Sequence, residues 1–399
     1  VLTVTTAFSV GNAPLLEHAD ARHPLVFLRG DAGLVGYGEA ARFEFTGPHR
    51  MADAAETWRA ISAVARVVDE VALPGSGLVA FGSFAFADES DTPSVLVVPK
   101  VLLGQRDGLR WVTTVNGAQP SGPTAIGSST ATEFVPGDMS ADDYLAAVSA
   151  ALEDIAAERL RKIVLARDLV SSIPEDLDLR APINALAAAY PETYTFAVDG
   201  LIGSSPETLV RTASGTVSAR VLAGSAARGA DAVSDATAAS TLAASRKDVA
   251  EHGYAIRSVL HALAAHSSDL TASPHPFPLR LPNLWHLASD VTGQLSDGSS
   301  ALDLVAALHP TAAVAGDPTA VALAAIARLE PFDRGRYAGP VGWVDWHGDG
   351  EWAIALRCAQ VTGSRVRAFA GAGVITGSEP RRELAETGLK FRPIVGAFG

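Results

Sequence analysis

An α+β fold of mixed layers is predicted by three features of this 399-residue chain. Short runs rich in Val, Leu and Phe sit between Gly, Asp and Pro turns, which reads as hairpin strands. Apolar residues recur at helical spacing in separate longer stretches. The strands arrive in groups and not in regular alternation with helices, which argues against a run of βαβ units.

Taken in order, the first 130 residues are mostly strand and turn. The candidate strands are HPLVFLRG, GLVGYGEAARF, GLVAFGSFAF and SVLVVPKVLL, with one helical stretch, RMADAAETWRAISAVARVV. The segment Gly117–Asp138, rich in Gly, Pro, Ser and Thr, is expected to be a linker. Ser140 then opens a helix, with Asp143 three residues on completing a capping box. Tyr144, Leu145, Val148, Leu152 and Ile155 form its apolar stripe. A strand over RKIVLARDLVSS follows, then a helix over APINALAAAY and strands TYTFAV and LIGSSPETLVRT. An alanine-rich helix is expected from about Asp231 to His266. Helices over ALDLVAALHP and PTAVALAAIARLE come next, then strands AGPVGWVDW, GEWAIALRCAQV and RVRAFAGAGVI. A closing helix carries Pro380 in its first turn, where the missing N–H costs nothing.

Composition excludes several classes. No run of eighteen or more apolar residues occurs, and the stretch Ser94–Leu103 is interrupted by Pro99 and Lys100, so no membrane-spanning helix is expected. The first ten residues have no basic stretch, so no signal peptide is read there. The single cysteine, Cys358, rules out an internal disulfide and a cysteine-based zinc site; a reducing cytoplasm fits. A net charge of −13 argues against non-specific binding to nucleic acid or an anionic membrane. It also means that an anionic substrate would need a locally positive site.

Candidate chemistry lies in a few places. Lys162 shares a strand face with Val164 and Ala166, and burial of a lysine favours its neutral, basic form. Glu207 follows a Ser-Ser-Pro turn, where a carboxyl of raised pKa would serve as a general acid. Asp248 and Glu251 stand three apart on a helix, and Glu383 and Glu386 repeat that spacing on another. Lys247 lies four before Glu251, so an ion-pair ladder is the plain alternative. The functional alternative is a hard cation: carboxylate oxygens without a Cys or His cluster suit Mg²⁺. Gly371 and Gly373 would let a ligand approach the backbone. Arg357, read as a strand residue facing away from Leu356 and Cys358, needs an anion. Carboxylates alone would suggest a metal-dependent hydrolase.

With these residues in place, the chain resembles the chorismate-utilising enzymes, and within them the isochorismate synthases. The matching blocks run from about Met139 to Gly399: KIVLAR, GSSPETLVR, VLAGSAARG, SRKDVAEH, LWHLASDV, LHPTAAVAGDP, LEPFDRGRYAGPVGW, GEWAIALRCA, AFAGAGVITGSEP and ELAETGLK. The first 120 residues match more loosely, through GLVGYGEA. The resemblance implies one domain over 1–399, with a more variable part at 1–130 and a catalytic core at 139–399. It implies a two-lobed antiparallel sheet core with helices outside.

It also implies roles. Lys162 matches the base that activates water for attack at C2 of chorismate, and Glu207 the acid that protonates the departing C4 hydroxyl. Glu251 and Glu386 match ligands of a Mg²⁺ holding the ring carboxylate, and Asp248 and Glu383 match carboxylates holding its waters. Either Glu383 or Glu386 remains able to touch the ion directly. Arg357 and Tyr337 match residues gripping the pyruvyl carboxylate. Gly224, Ser225, Gly371 and Gly373 line the substrate, His286 lies near the ring, and Lys390 is a cation near the ring carboxylate.

Subtype rests on three positions. Lys162 is present, whereas ammonia-using members lack that lysine. Ala223 stands where aminodeoxychorismate synthases carry a nucleophilic lysine. Ala313 stands where salicylate and anthranilate synthases carry Thr. Isochorismate synthase is therefore expected, serving menaquinone or siderophore biosynthesis, as a cytoplasmic monomer without a glutamine amidotransferase subunit. The alternatives are a salicylate synthase, which goes on to eliminate pyruvate, and a non-catalytic Mg²⁺- or anion-binding relative.

Overall fold

The computed structural model describes every residue except Val10. Its strands join into one hydrogen-bonded ladder, and every pairing is antiparallel except that of Thr3–Phe8 with Arg66–Asp69. At one end Lys162–Ser172 pairs along its whole length with Arg365–Ile375. The ladder continues through Cys358–Thr362, Leu201–Ser205 and Tyr194–Val198. It then enters the N-terminal strands Leu25–Arg29, Ala32–Phe45, Ser94–Arg106 and Val79–Ser83. From there it returns through Pro340–Asp345, Gly350–Ile354 and Thr208–Ala213. Thr216–Ala227 and Leu284–Leu295 follow at the far end. The N-terminal strands therefore occupy the middle of the ladder and join its two halves.

The apolar faces of this ladder close on two cores. One holds Trp58, Phe81, Trp343 and Trp352; the other packs Ile183, Leu186, Phe391 and Phe398. Trp58 also donates its indole N–H to Asp345 O at 2.8 Å, tying the first helix, Arg50–Val64, to a C-terminal strand. The helix Ala141–Ala156 has the predicted capping box, with Ser140 accepting from Asp143 N. Tyr144, Val148 and Ile155 are buried as expected, while Leu145 and Leu152 lie half-buried beside them. The expected linker has no helix or strand until Val135, yet Arg180 holds it down through Thr124 O and Ala125 O at 3.2 and 2.9 Å.

Local expectations fail where the chain turns sharply. The helix expected over Asp231–His266 is two helices, Ala232–Ala244 and Arg246–Leu263. Ser245 breaks them with extended backbone and caps the second by accepting from Asp248 N at 3.2 Å. The expected strand over LIGSSPETLVRT is interrupted at Pro206 and Glu207. Arg357 is not within a strand: it joins Gly350–Ile354 to Cys358–Thr362 at a φ of +49°. Face alternation therefore does not govern its direction. Strands Thr3–Phe8, Leu109–Val115 and Leu284–Leu295 were absent from the pattern reading, because their identity comes from long-range pairing.

Candidate active site

The two ends of the ladder, with the helices Arg246–Leu263 and Pro380–Phe398, enclose a narrow cavity. It brings together Glu207, Gly224, Ser225, Glu251, His286, Ala313, Tyr337, Arg357, Gly371, Gly373, Glu386 and Lys390. Lys162, Asp248 and Glu383 stand behind this lining.

Lys162 begins the strand that also carries Val164 into the cavity. Its side chain is fully buried and its Nζ has no hydrogen-bond partner. Nζ lies 3.3 Å from Glu251 Oε1, the one carboxylate within 4 Å of it among the described residues. Gly373, on the paired strand, makes the contact possible. A Cβ there would collide with Glu251 Oε1 and sit 3.3 Å from Lys162 Cε. A buried ion pair, Arg334 with Glu330, fixes this strand from behind. Arg334 donates to Val164 O and Val314 O at 2.8 and 3.0 Å, while Glu330 accepts from Ala166 N at 2.8 Å. The loop carrying Ala313 is thereby held against the Lys162 strand.

Glu207 lines the same cavity, at the break between two strands. Burial pushes its carboxyl up to about 7; the Leu222 N–H at 3.4 Å and the charges of Lys162, Arg357 and Lys390 oppose but do not cancel that. The group is therefore an acid with a proton to give near neutral pH.

Arg357, Tyr337, His286 and Lys390 line another part of the cavity. Arg357 donates to His286 Nε2 at 2.7 Å. Arginine has no acceptor, so Nε2 must be the unprotonated nitrogen and Nδ1 carries the hydrogen. Nδ1 faces Gly224 O at 3.2 Å and Ser225 Oγ at 3.0 Å. Burial and the charges of Arg357 and Lys390 push His286 well below the usual histidine range, in agreement with a neutral ring. Burial also raises the Tyr337 hydroxyl, so it stays a neutral donor. Its ring stacks on Phe369 at 5.1 Å.

The carboxylates are not arranged as two equal pairs. Glu383 is buried and turned away to Lys247, whose Nζ lies 2.8 Å from it. Lys247 thus bridges two helices and makes no ladder with Glu251 along its own. Asp248 is half-buried beside Gly224, which takes a φ of +84° that favours glycine and where a Cβ would sit only 3.0 Å from Asp248 Cβ. Glu386 lines the cavity, paired with Lys390 at 2.6 Å. Burial acts to raise Glu386, but the charge and hydrogen bond of Lys390 outweigh it and hold the carboxyl below its ordinary value. Burial and the neighbouring Glu386 raise Glu383.

Among the described residues no three His, Cys, Asp or Glu side chains converge into a complete metal cage. Two carboxylates, Glu251 and Glu386, do face one cavity, and Gly373 leaves open the space beside Glu251 that a Cβ would fill. Both nitrogens of His286 already have partners. This donor set fits Mg²⁺, which takes one or two protein carboxylates and completes its shell with substrate and water.

Pattern reading missed His252, next to Glu251. It is buried, with Nδ1 3.3 Å from Ala223 O and Nε2 2.8 Å from Ser289 Oγ. Its signal was available: His252, Ala255, Val259 and Leu263 form the buried stripe of their helix.

The family profile described as chorismate binding enzyme matches residues 118–399. Isochorismate synthase DhbC of Bacillus subtilis is 42% identical over 270 residues, covering 65% of this chain and 68% of that protein. Isochorismate synthase EntC of Escherichia coli K12 is 39% identical over 249 residues, covering 61% and 64%. The solved menaquinone-specific isochorismate synthase MenF of Escherichia coli superposes with a TM-score of 0.80 at 23% identity, over 100% of this chain and 95% of that one. That last likeness concerns the fold.

Proposed function

The chain belongs to the chorismate-binding enzyme family, among its isochorismate synthases, and on that premise we propose a Mg²⁺-dependent isomerisation of chorismate to isochorismate by Lys162 and Glu207. The observation that carries this reading is that the buried Glu207 lines one cavity with Glu251, whose carboxylate lies 3.3 Å from the buried Lys162 Nζ. Lys162 takes a proton from water as its oxygen bonds to C2. The ring double bond shifts, the C4–O bond breaks, and Glu207 gives its proton to the departing hydroxide. One water enters and one leaves, so the reaction is a net isomerisation.

Arg357 and Tyr337 suit the pyruvyl carboxylate, because a buried guanidinium and a neutral phenol both donate to it. His286 holds the Arg357 fork in place. Glu251 and Glu386 would hold Mg²⁺, and the ion would supply positive charge to the ring carboxylate. Lys390 donates to Gly371 O at 2.8 Å and adds a cation on the same side. These charges offset the field of a protein with net charge −13.

We assign the whole chain, 1–399, to one domain, since the N-terminal strands lie inside the ladder. No helix among the described residues is long and apolar enough to cross a membrane. A water-activating lysine makes ammonia unnecessary, and with it an amidotransferase subunit; we read the protein as a cytoplasmic monomer.

The test is direct. The purified protein is incubated with chorismate and Mg²⁺, and the products are resolved by chromatography. Isochorismate is expected. Salicylate with pyruvate would overturn the subtype, and no turnover would overturn the enzymatic reading.

A further inference from the structure

The strands Thr216–Ala227 and Leu284–Leu295 pair regularly up to Leu222 opposite Ala288, and resume with Ser225 opposite His286. Between those points two residues, Ala223 and Gly224, face one, Leu287. This is a β-bulge, which bends its strand and turns backbone groups out of the ladder. The freed carbonyls are buried, so each needs a donor. His252 Nδ1 lies 3.3 Å from Ala223 O, and His286 Nδ1 lies 3.2 Å from Gly224 O. One histidine comes from the helix of Glu251 and the other from the paired strand. His252 is also anchored by Ser289 Oγ, 2.8 Å from its Nε2.

The bulge adjoins the proposed acid. Leu222 N, immediately before it, is the backbone donor 3.4 Å from Glu207 Oε1. On its other side Gly224 abuts Asp248, at the start of the helix that carries Glu251.

We propose that His252 is a positioning residue: with His286 it holds the Ala223–Gly224 bulge, and so sets the N–H offered to Glu207 and the seat of Glu251. His252 touches no reacting atom and acts through the Ala223 carbonyl. The inference deepens the function proposed above and rests on it for the role of Glu207.

Two substitutions separate the two ring nitrogens. His252→Asn keeps a donor near the Nδ1 position, and His252→Gln places its amide near Nε2 instead. His252→Gln is expected to lose turnover roughly tenfold to a hundredfold, the range for residues that orient a site from behind. His252→Asn should recover most of that loss.

The basic limb of the kcat/KM–pH profile gives a further readout. The cations facing Glu207, namely Lys162, Arg357 and Lys390, are unchanged in both variants. Loss of the Leu222 N–H alone should move that limb up by ~0.5–1 pH unit, a shift that simple loss of folded protein does not produce. Amide hydrogen exchange over residues 222–225 should be faster in His252→Gln. Should that variant fail to fold, Ser289→Ala is read instead. Faster exchange confined to 222–225 supports the brace and unchanged exchange overturns it. Parental turnover with an unmoved pH limb in His252→Gln also overturns it. Absence of turnover in the parent overturns the proposed function, while the exchange measurement still judges the brace.

Discussion

Lys162 Nζ and Glu251 Oε1 lie 3.3 Å apart, with the lysine fully buried and otherwise without a hydrogen-bond partner. One carboxylate is thus offered both to a proposed base and to a proposed cation. Removing either side chain leaves the polar atoms of the other without that contact in a buried site, which costs more than never having placed a polar group there.

Lys162→Ala is expected to lower turnover by roughly 10²–10⁴-fold while chorismate still binds, as read by product formation and by calorimetric titration. An active variant would remove Lys162 from the role of base. Glu251→Gln should destabilise the fold by about 1–3 kcal/mol, because the buried Lys162 Nζ loses the carboxylate it faces. Urea unfolding measures this. Adding Lys162→Met to Glu251→Gln should recover part of the stability and none of the activity.

Glu207 gives a signed pH dependence. Its carboxyl is raised to about 7 in the fold, mainly by burial, from the ordinary value of 4.5. The folded state therefore binds the extra proton between those values, and stability falls as pH rises through that window. The contribution is about 3 kcal/mol across it. Asp345, also raised to about 7 by burial, adds a slope of the same sign. The difference between the parent and Glu207→Gln isolates the Glu207 share, measured by urea unfolding at several pH values. Activity should fall as pH rises past about 7, since the acid must be protonated. A parent and a Glu207→Gln variant with the same stability slope would contradict the raised carboxyl.

The two glutamates of the closing helix should behave differently. Glu386 faces the cavity beside Lys390, whereas Glu383 is held by Lys247 outside it. Glu386→Gln should raise the Mg²⁺ concentration needed for half-maximal activity by roughly tenfold or more, and Glu383→Gln by less. Metal titrations of both variants check the order. A larger effect at Glu383 would reverse the assignment of the direct ligand.

What was legible in the sequence follows the range of the interactions. The capping box at Ser140, the apolar stripe after it and the Glu pairs at i, i+3 are local, and local spacing reveals them. The family blocks supplied the constellation of Lys162, Glu207, Glu251 and Glu386 that spacing alone left as scattered surface charges. Other features depend on partners far away in the chain. The bulge at Ala223–Gly224 exists only against Leu287. Arg357 takes a left-handed conformation where two strands part. Lys247 prefers a carboxylate 136 residues away to the one a turn along its own helix. The stretch Gly117–Asp138 sets the N-terminal strands off from the core in sequence, and their edges pair with strands from both halves of that core.

Gly373 provides the sharpest steric test. It needs no unusual backbone angle, so its glycine is required by space alone. A methyl group there would strike the Glu251 carboxylate, lying 2.9 Å from its Cδ, and would also crowd Lys162 Cε. The glutamate is the end of a side chain and can swing aside, so Gly373→Ala should fold, with a loss of ~1–3 kcal/mol from overpacking. Moving Glu251 separates it from Lys162 and shifts it in the cavity it shares with Glu386. Activity should therefore fall far more than stability, with a weaker response to Mg²⁺. Thermal melting, turnover and a metal titration on the same preparation distinguish these effects. A Gly373→Ala protein with parental turnover and metal response would show that the Glu251 carboxylate need not occupy the position seen here.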